Sequence, residues 1–191
     1  MPEPGIKPET TWDPFVRIVH WSLVGFFFLA YCLEGDRLEV HSHAGYTVAL
    51  LVVFRLVWGV VGSTHARFGD FVVGPAATIT YLKQLLRGGG RRYVGHDPAG
   101  AVMIWLLLAS LLITTLSGMS LFALEGRGPL ASTLVGSFIA SWQGALVEDV
   151  HDFSADFTVW LIVFHVLGVL AASLLRRENL IVAMLTGRKK P

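Results

Sequence analysis

The chain has 191 residues, enough for one domain, but 53% are apolar, only 15% are charged and the mean hydropathy is +0.60. That balance excludes an ordinary soluble fold. A formal net charge of +1 gives no basis for nucleic-acid binding, and the single cysteine, Cys32, excludes a disulfide framework and a cysteine-ligated zinc or iron–sulfur centre.

Apolar runs able to cross about 30 Å of hydrocarbon predict helices near 16–33, 44–62, 99–122 and 155–175. The first follows a short basic region and contains Phe26-Phe27-Phe28-Leu29-Ala30, a pattern shared with signal peptides. No small-residue cleavage site follows it, so it is read as a retained span. Between the second and third runs, residues 75–87 predict a short amphipathic helix on the membrane interface, ended by Gly88-Gly89-Gly90. The stretch from Leu130 to Val147 is apolar but broken by Gly136 and Gly144, and is read as a lid over the outer surface. The expected fold is all-α: an integral membrane four-helix bundle forming a single multi-pass domain over residues 1–191.

Lysine and arginine set the expected orientation. Lys7, Arg17, Arg67, Lys83, Arg87, Arg91, Arg92, Arg176, Arg177, Arg188, Lys189 and Lys190 lie in the N-terminal segment, second loop and tail, against only Arg37 and Arg127 in the other loops. Both termini are therefore expected in the cytoplasm. The opposite face carries Glu34, Asp36, Glu39, Glu125, Glu148 and Asp149.

Ionisable side chains in or beside a membrane span are costly, which makes histidines there functional candidates. His20 lies near the cytoplasmic end of the first span, His41 and His43 at the outer entrance of the second, His151 at the outer opening of the fourth and His165 deep within it. Fourteen residues separate His151 from His165, about 21 Å of helix, and at 100° per residue the two lie within roughly 40° of one face. One helix thus offers a ligand at each membrane level. The expected pairs are His41 with His151 outside and His20 with His165 inside.

Two facing imidazoles per level do not satisfy zinc, which takes four protein ligands or three and a water. Haem brings four equatorial nitrogens and needs only two axial ones, so two b haems are expected. Iron with histidine on both sides has no vacant position, which favours electron transfer over oxygen binding. Arg55, fourteen residues after His41, would pair with an inner haem propionate, and Arg17, one turn before His20, is a second candidate. Gly45, one turn after His41, would let the porphyrin edge approach the backbone. Ser117 and Gly118 are small contact residues in the third span.

Taken singly, each histidine would be an interfacial hydrogen-bonder; the matching of two levels across three helices carries the ligand assignment. His43 points to another helix face and is expected to be solvated. His65 and His96 are expected to be surface groups, and the six tryptophans to belong to interfacial belts and packing.

The segment "WDPFVRIVHW", with Trp12-Asp13-Pro14, Arg17 and His20-Trp21, and "HSHAGYTVALLVVFRLVWG", with His41, Gly45, Arg55 and Trp58, resemble the first two helices of the bacterial cytochrome b561 family. This family includes the cytochrome b subunits of nickel–iron hydrogenases. "GSTHARFGDFV" and "RRENLIVAMLTGRK" are similar to segments of its dihaem members. The resemblance implies a four-helix bundle with two b haems, axial ligands at His20, His41, His151 and His165, and a quinone as one redox partner. The other partner is implied to be a c-type cytochrome or an enzyme subunit. The third loop departs most from the family pattern.

The expected function is electron transfer between the quinone pool and a periplasmic partner such as a c-type cytochrome. A membrane anchor of a hydrogenase-like oxidoreductase and a superoxide:quinone oxidoreductase are the alternatives within the family. A haem-free metal transporter is the alternative of a different class. Besides lipid, quinone and the redox subunit, a homodimer is admitted as a partner; nucleic acid is not.

Overall fold

The computed structural model describes residues 13–35, 37–63, 66–70, 74–86, 97–133 and 144–188. Every regular element among them is helical. In chain order these are α1 (Pro14–Cys32), α2 (Leu38–Val61), a 3₁₀ turn (Phe68–Asp70), α3 (Pro75–Leu86), α4 (Pro98–Leu124), α5 (Gly144–Arg176) and α6 (Leu180–Thr186). Helices α1, α2, α4 and α5 are long and apolar enough to cross a membrane.

All four predicted spans are present, with corrections at their ends. Helix α2 begins six residues before the apolar run, so His41 and His43 lie inside it and not at its entrance. Helix α5 begins at Gly144, eleven residues before the predicted 155, and takes in the last residues of the expected lid. Hydropathy marks where lipid begins, and Glu148, Asp149, Asp152 and Asp156 end the apolar run without ending the helix. At 33 residues α5 is about 50 Å long, well beyond a hydrocarbon core. A glycine at a helix's first position also costs little compared with one in its interior. A helix runs over Pro75–Leu86, one residue short of the predicted 75–87. Helix α6 was not predicted, although its signals are present: the Asn179 side chain accepts from the Val182 N–H at 2.9 Å, and Gly187, at φ +81°, ends it. Residues 134–143 of the expected lid, Trp12, Trp142, Asp36, His65, His96, Arg87, Arg91 and Arg92 lie outside the described residues.

The chain divides into two compact units. The first gathers the described residues of Met1–Val19, Val57–Met103 and Val163–Pro191. Here two helices open on Asp-Pro pairs, with proline at the first helical position, where its missing N–H costs nothing. Asp13 Oδ1 accepts the Val16 N–H at 2.8 Å, and Asp97 Oδ1 accepts the Gly100 N–H at 2.9 Å. Each aspartate also holds an aromatic side chain of another element. Asp13 Oδ2 accepts from Trp58 Nε1 at 3.0 Å and from the Ser63 hydroxyl; Asp97 Oδ2 accepts from the Tyr81 hydroxyl at 2.9 Å. Burial alone would raise the Asp13 pKa, but these hydrogen bonds outweigh it and hold the carboxyl below the ordinary carboxylate value.

The second unit comprises the described residues of His20–Leu56 and Ile104–Ile162. Its interior is lined with small hydroxyls as well as aliphatics: Ser110, Thr114, Thr115, Ser117 and Ser120 of α4 and Ser154 and Thr158 of α5 are buried. Large apolar side chains such as Phe153 and Trp160, 72% and 62% exposed, point outward. This inversion suits a lipid surround, where apolar contact gives helices no reason to associate and small polar residues join them instead.

Candidate functional site

His41 on α2 and His151 on α5 face each other in the second unit, with ring centroids 6.1 Å apart and planes crossed at 77°. His41 Nδ1 is 2.9 Å from the Ala30 carbonyl, and His151 Nδ1 is 2.9 Å from the Thr114 carbonyl. A carbonyl can only accept, so the proton of each neutral ring sits on Nδ1 and the Nε2 lone pair is left for a metal. Two imidazoles bonded on opposite sides of one metal at about 2 Å each have ring centres about 6 Å apart. The observed separation matches that arrangement.

Both rings line a cavity of about 270 Å³ whose walls include Phe27, Leu111, Met119 and Phe122. Gly45 also lines it, and a Cβ there would point into open space, consistent with a flat group passing its backbone. The Tyr46 hydroxyl, buried and without a hydrogen-bond partner among the described residues, belongs to another lining residue and offers a donor to a polar substituent. No cluster of three or more His, Cys, Asp or Glu side chains able to hold a bare metal ion occurs among the described residues. The donor set, two opposed imidazoles in a largely apolar cavity, fits a b haem.

Helix α4 carries no histidine but shapes the site. A Cβ on Gly118 would lie 2.7 Å from His151 Cε1, so the ring occupies space that any other residue would fill. The Ser117 hydroxyl lies 3.2 Å from His151 Nδ1 and is also placed to donate to the Ile113 and Thr114 carbonyls. Below it, Thr114 donates to Ser154 Oγ at 2.9 Å, and the Ser110 and Thr158 hydroxyls are 2.6 Å apart. Sequence reasoning found Ser117 and Gly118 but missed this ladder. Its signal was the spacing of Ser110, Thr114 and Ser117 on one α4 face and of Ser154 and Thr158 on one α5 face.

The other predicted residues are placed as follows. His20 is half-buried and stands edge-to-face with Trp21 at 5.1 Å. His165 is half-buried on the helix that carries His151. Arg55 is 6% exposed on α2, unusually low for a cation. The Arg17 guanidinium donates to the Leu185 carbonyl of α6, and its Nε is buried without a partner among the described residues. His43 is exposed, its Nδ1 bonded 2.6 Å away to the Glu39 carbonyl of its own helix, as expected for a solvated group.

The family model for prokaryotic cytochrome b561 matches residues 11–187. Relatives described as probable Ni/Fe-hydrogenase B-type cytochrome subunits include one from Rhizobium leguminosarum bv. viciae, 24% identical over 91% of this chain and 85% of its own length. Those from Azotobacter vinelandii and Cupriavidus necator are 26% and 24% identical, over 92% and 95% of this chain and 82% and 87% of their own lengths. No solved structure matches the chain. With four membrane-length helices and a family match over nearly its whole length, the chain belongs to the prokaryotic cytochrome b561 family, integral membrane b-type cytochromes that carry haem and transfer electrons.

Proposed function

We propose that this protein carries electrons across a bacterial inner membrane between the quinone pool and a periplasmic partner such as a c-type cytochrome, using two b haems. The imidazoles of His41 and His151, 6.1 Å apart and each with Nδ1 on a backbone carbonyl, are the observation that carries this reading. These two residues would hold the outer haem. His20 and His165 would hold the inner one, supported by the fourteen-residue spacing along α5. Haem would supply a one-electron couple at each level; the histidines would hold it, the apolar walls would exclude water and the arginines would balance its charge. Arg55, and Arg17 with an Nε that has no partner among the described residues, are suited to propionates at the inner level, and Gly45 and Tyr46 to the outer group. The lysine and arginine distribution supports cytoplasmic termini and an acidic outer face.

The test is a reduced-minus-oxidised spectrum of the purified protein, followed by redox titration and reduction by a quinol. Two b-type transitions and quinol-driven reduction are expected. Absence of haem absorbance would favour the haem-free metal transporter. A second reading, the membrane subunit of a hydrogenase-like oxidoreductase, is favoured by the descriptions of the relatives. Co-purification of an enzyme subunit would select it, and superoxide-driven quinone reduction would select the superoxide:quinone oxidoreductase.

A further inference from the structure

Histidine's ring torsion is broad, so a rotamer alone does not fix the plane of an axial imidazole. In this site a backbone carbonyl meets Nδ1 of each ring. The Ala30 carbonyl of α1 orients His41, and the Thr114 carbonyl of α4 orients His151. The Cε1 edge of His151 rests on Gly118, where even a methyl group would come within 2.7 Å. The resulting planes are crossed at 77°.

We propose that Gly118 is a positioning residue that keeps the two axial imidazoles of the outer haem crossed; this rests on the reading of His41 and His151 as its ligands. Close packing of α4 on α5 does not by itself require a glycine, because Ser110, Thr114 and Ser117 pack and hydrogen-bond on the same interface. Gly118 is where the ring itself takes up the side-chain volume. A residue with a Cβ would push on Cε1 and turn the ring about its bond to the metal, away from the crossed orientation.

The orientation has an electronic consequence. Each imidazole donates π density perpendicular to its own plane. Parallel rings raise one of the two metal orbitals of π symmetry above the other, whereas crossed rings raise both nearly equally. Near-degeneracy in the ferric low-spin state gives a highly anisotropic electron paramagnetic resonance signal with one very large g value. Axial-ligand geometry and outer hydrogen bonds are also among the protein's levers on a haem potential.

Low-temperature spectra of the full two-haem protein, poised at stepwise potentials, test the proposal. The wild type should show the highly anisotropic signal for the outer haem. In Gly118→Ala the signal should move toward the ordinary rhombic form with the haem-to-protein ratio unchanged. Ser117→Ala removes a hydroxyl near Nδ1 without adding volume, and should keep the anisotropic signal because the Thr114 carbonyl and Gly118 remain. An ordinary rhombic signal from the wild-type outer haem overturns the proposal even if Gly118→Ala does not assemble. So does an unchanged spectrum in Gly118→Ala with both haems bound, or loss of anisotropy in Ser117→Ala. His151→Ala separates the two levels of inference. Retention of the outer haem there defeats the ligand assignment itself; its loss there, with an unchanged Gly118→Ala spectrum, defeats only the role of Gly118.

Discussion

The carboxylate of Asp13 accepts a hydrogen bond from the indole of Trp58 at 3.0 Å, joining the start of α1 to the last turns of α2. The same carboxylate caps α1 through Val16. Its pKa is held below the ordinary value, so its contribution to stability is present at neutral pH and is lost as pH falls through the folded-state pKa. Asp13→Asn keeps a capping oxygen but removes this titration. Its stability deficit relative to wild type should shrink as the pH is lowered through and below the carboxylate range, followed by thermal unfolding in detergent. Asp13→Ala, which also loses the cap, should cost about 1 kcal/mol more. A deficit for Asp13→Asn that is constant with pH would place the stabilisation outside the charge.

Replacing His151 or His165 by alanine should remove one haem each, because each variant leaves an iron with one axial bond. The double variant should bind neither haem, and pyridine haemochrome analysis per mole of protein would count them. His43→Ala should retain both, since that ring is exposed and turned back on its own helix. Loss of the outer haem in His43→Ala would reverse the choice between the neighbouring histidines.

Arg55 is buried on α2 and is proposed to face an inner propionate. A cation near a haem favours the reduced state, so Arg55→Leu should lower one midpoint potential. The expected shift is on the order of 50 mV, the one-electron equivalent of roughly 1 kcal/mol. Potentiometric titration of both haems checks this, and two unshifted potentials would assign the guanidinium another partner.

Glu34, Glu39, Glu148 and Asp149 flank the ends of α1, α2 and α5 on the proposed outer side. A basic soluble cytochrome would meet this rim at a rate that falls as salt is added. Stopped-flow electron transfer at increasing ionic strength measures it. A salt-independent rate would favour a permanently bound membrane or enzyme subunit.

The four spans were legible because lipid demands long apolar runs, and His41 and His151 because ionisable rings are conspicuous beside the ends of such runs. What escaped lay where hydropathy is silent. The first turns of α5 contain Glu148 and Asp149, and the polar helix continues out of the lipid-like run. Thr114 and Ser154 look unremarkable in composition, yet their hydroxyls meet at 2.9 Å; helical spacing would have placed them on facing surfaces, but only packing pairs them. The capping role of Asp13 was readable from Asp-Pro before an apolar run. Helix α6 was overlooked because seven residues are too few for a periodic pattern, although Asn179 and Gly187 bracket them.

The His41–His151 site draws on four separate stretches of chain: the Ala30 carbonyl from α1, His41 from α2, the Thr114 carbonyl and Gly118 from α4, and His151 from α5. No helical hairpin contains it. During synthesis the first two spans can enter the membrane with His41 already oriented, but its counterpart emerges more than a hundred residues later. On the proposed ligand assignment, stable haem capture at this level belongs to the end of biogenesis, after the last span has been inserted, and a ribosome-released fragment ending before α5 would be a membrane protein without this cofactor.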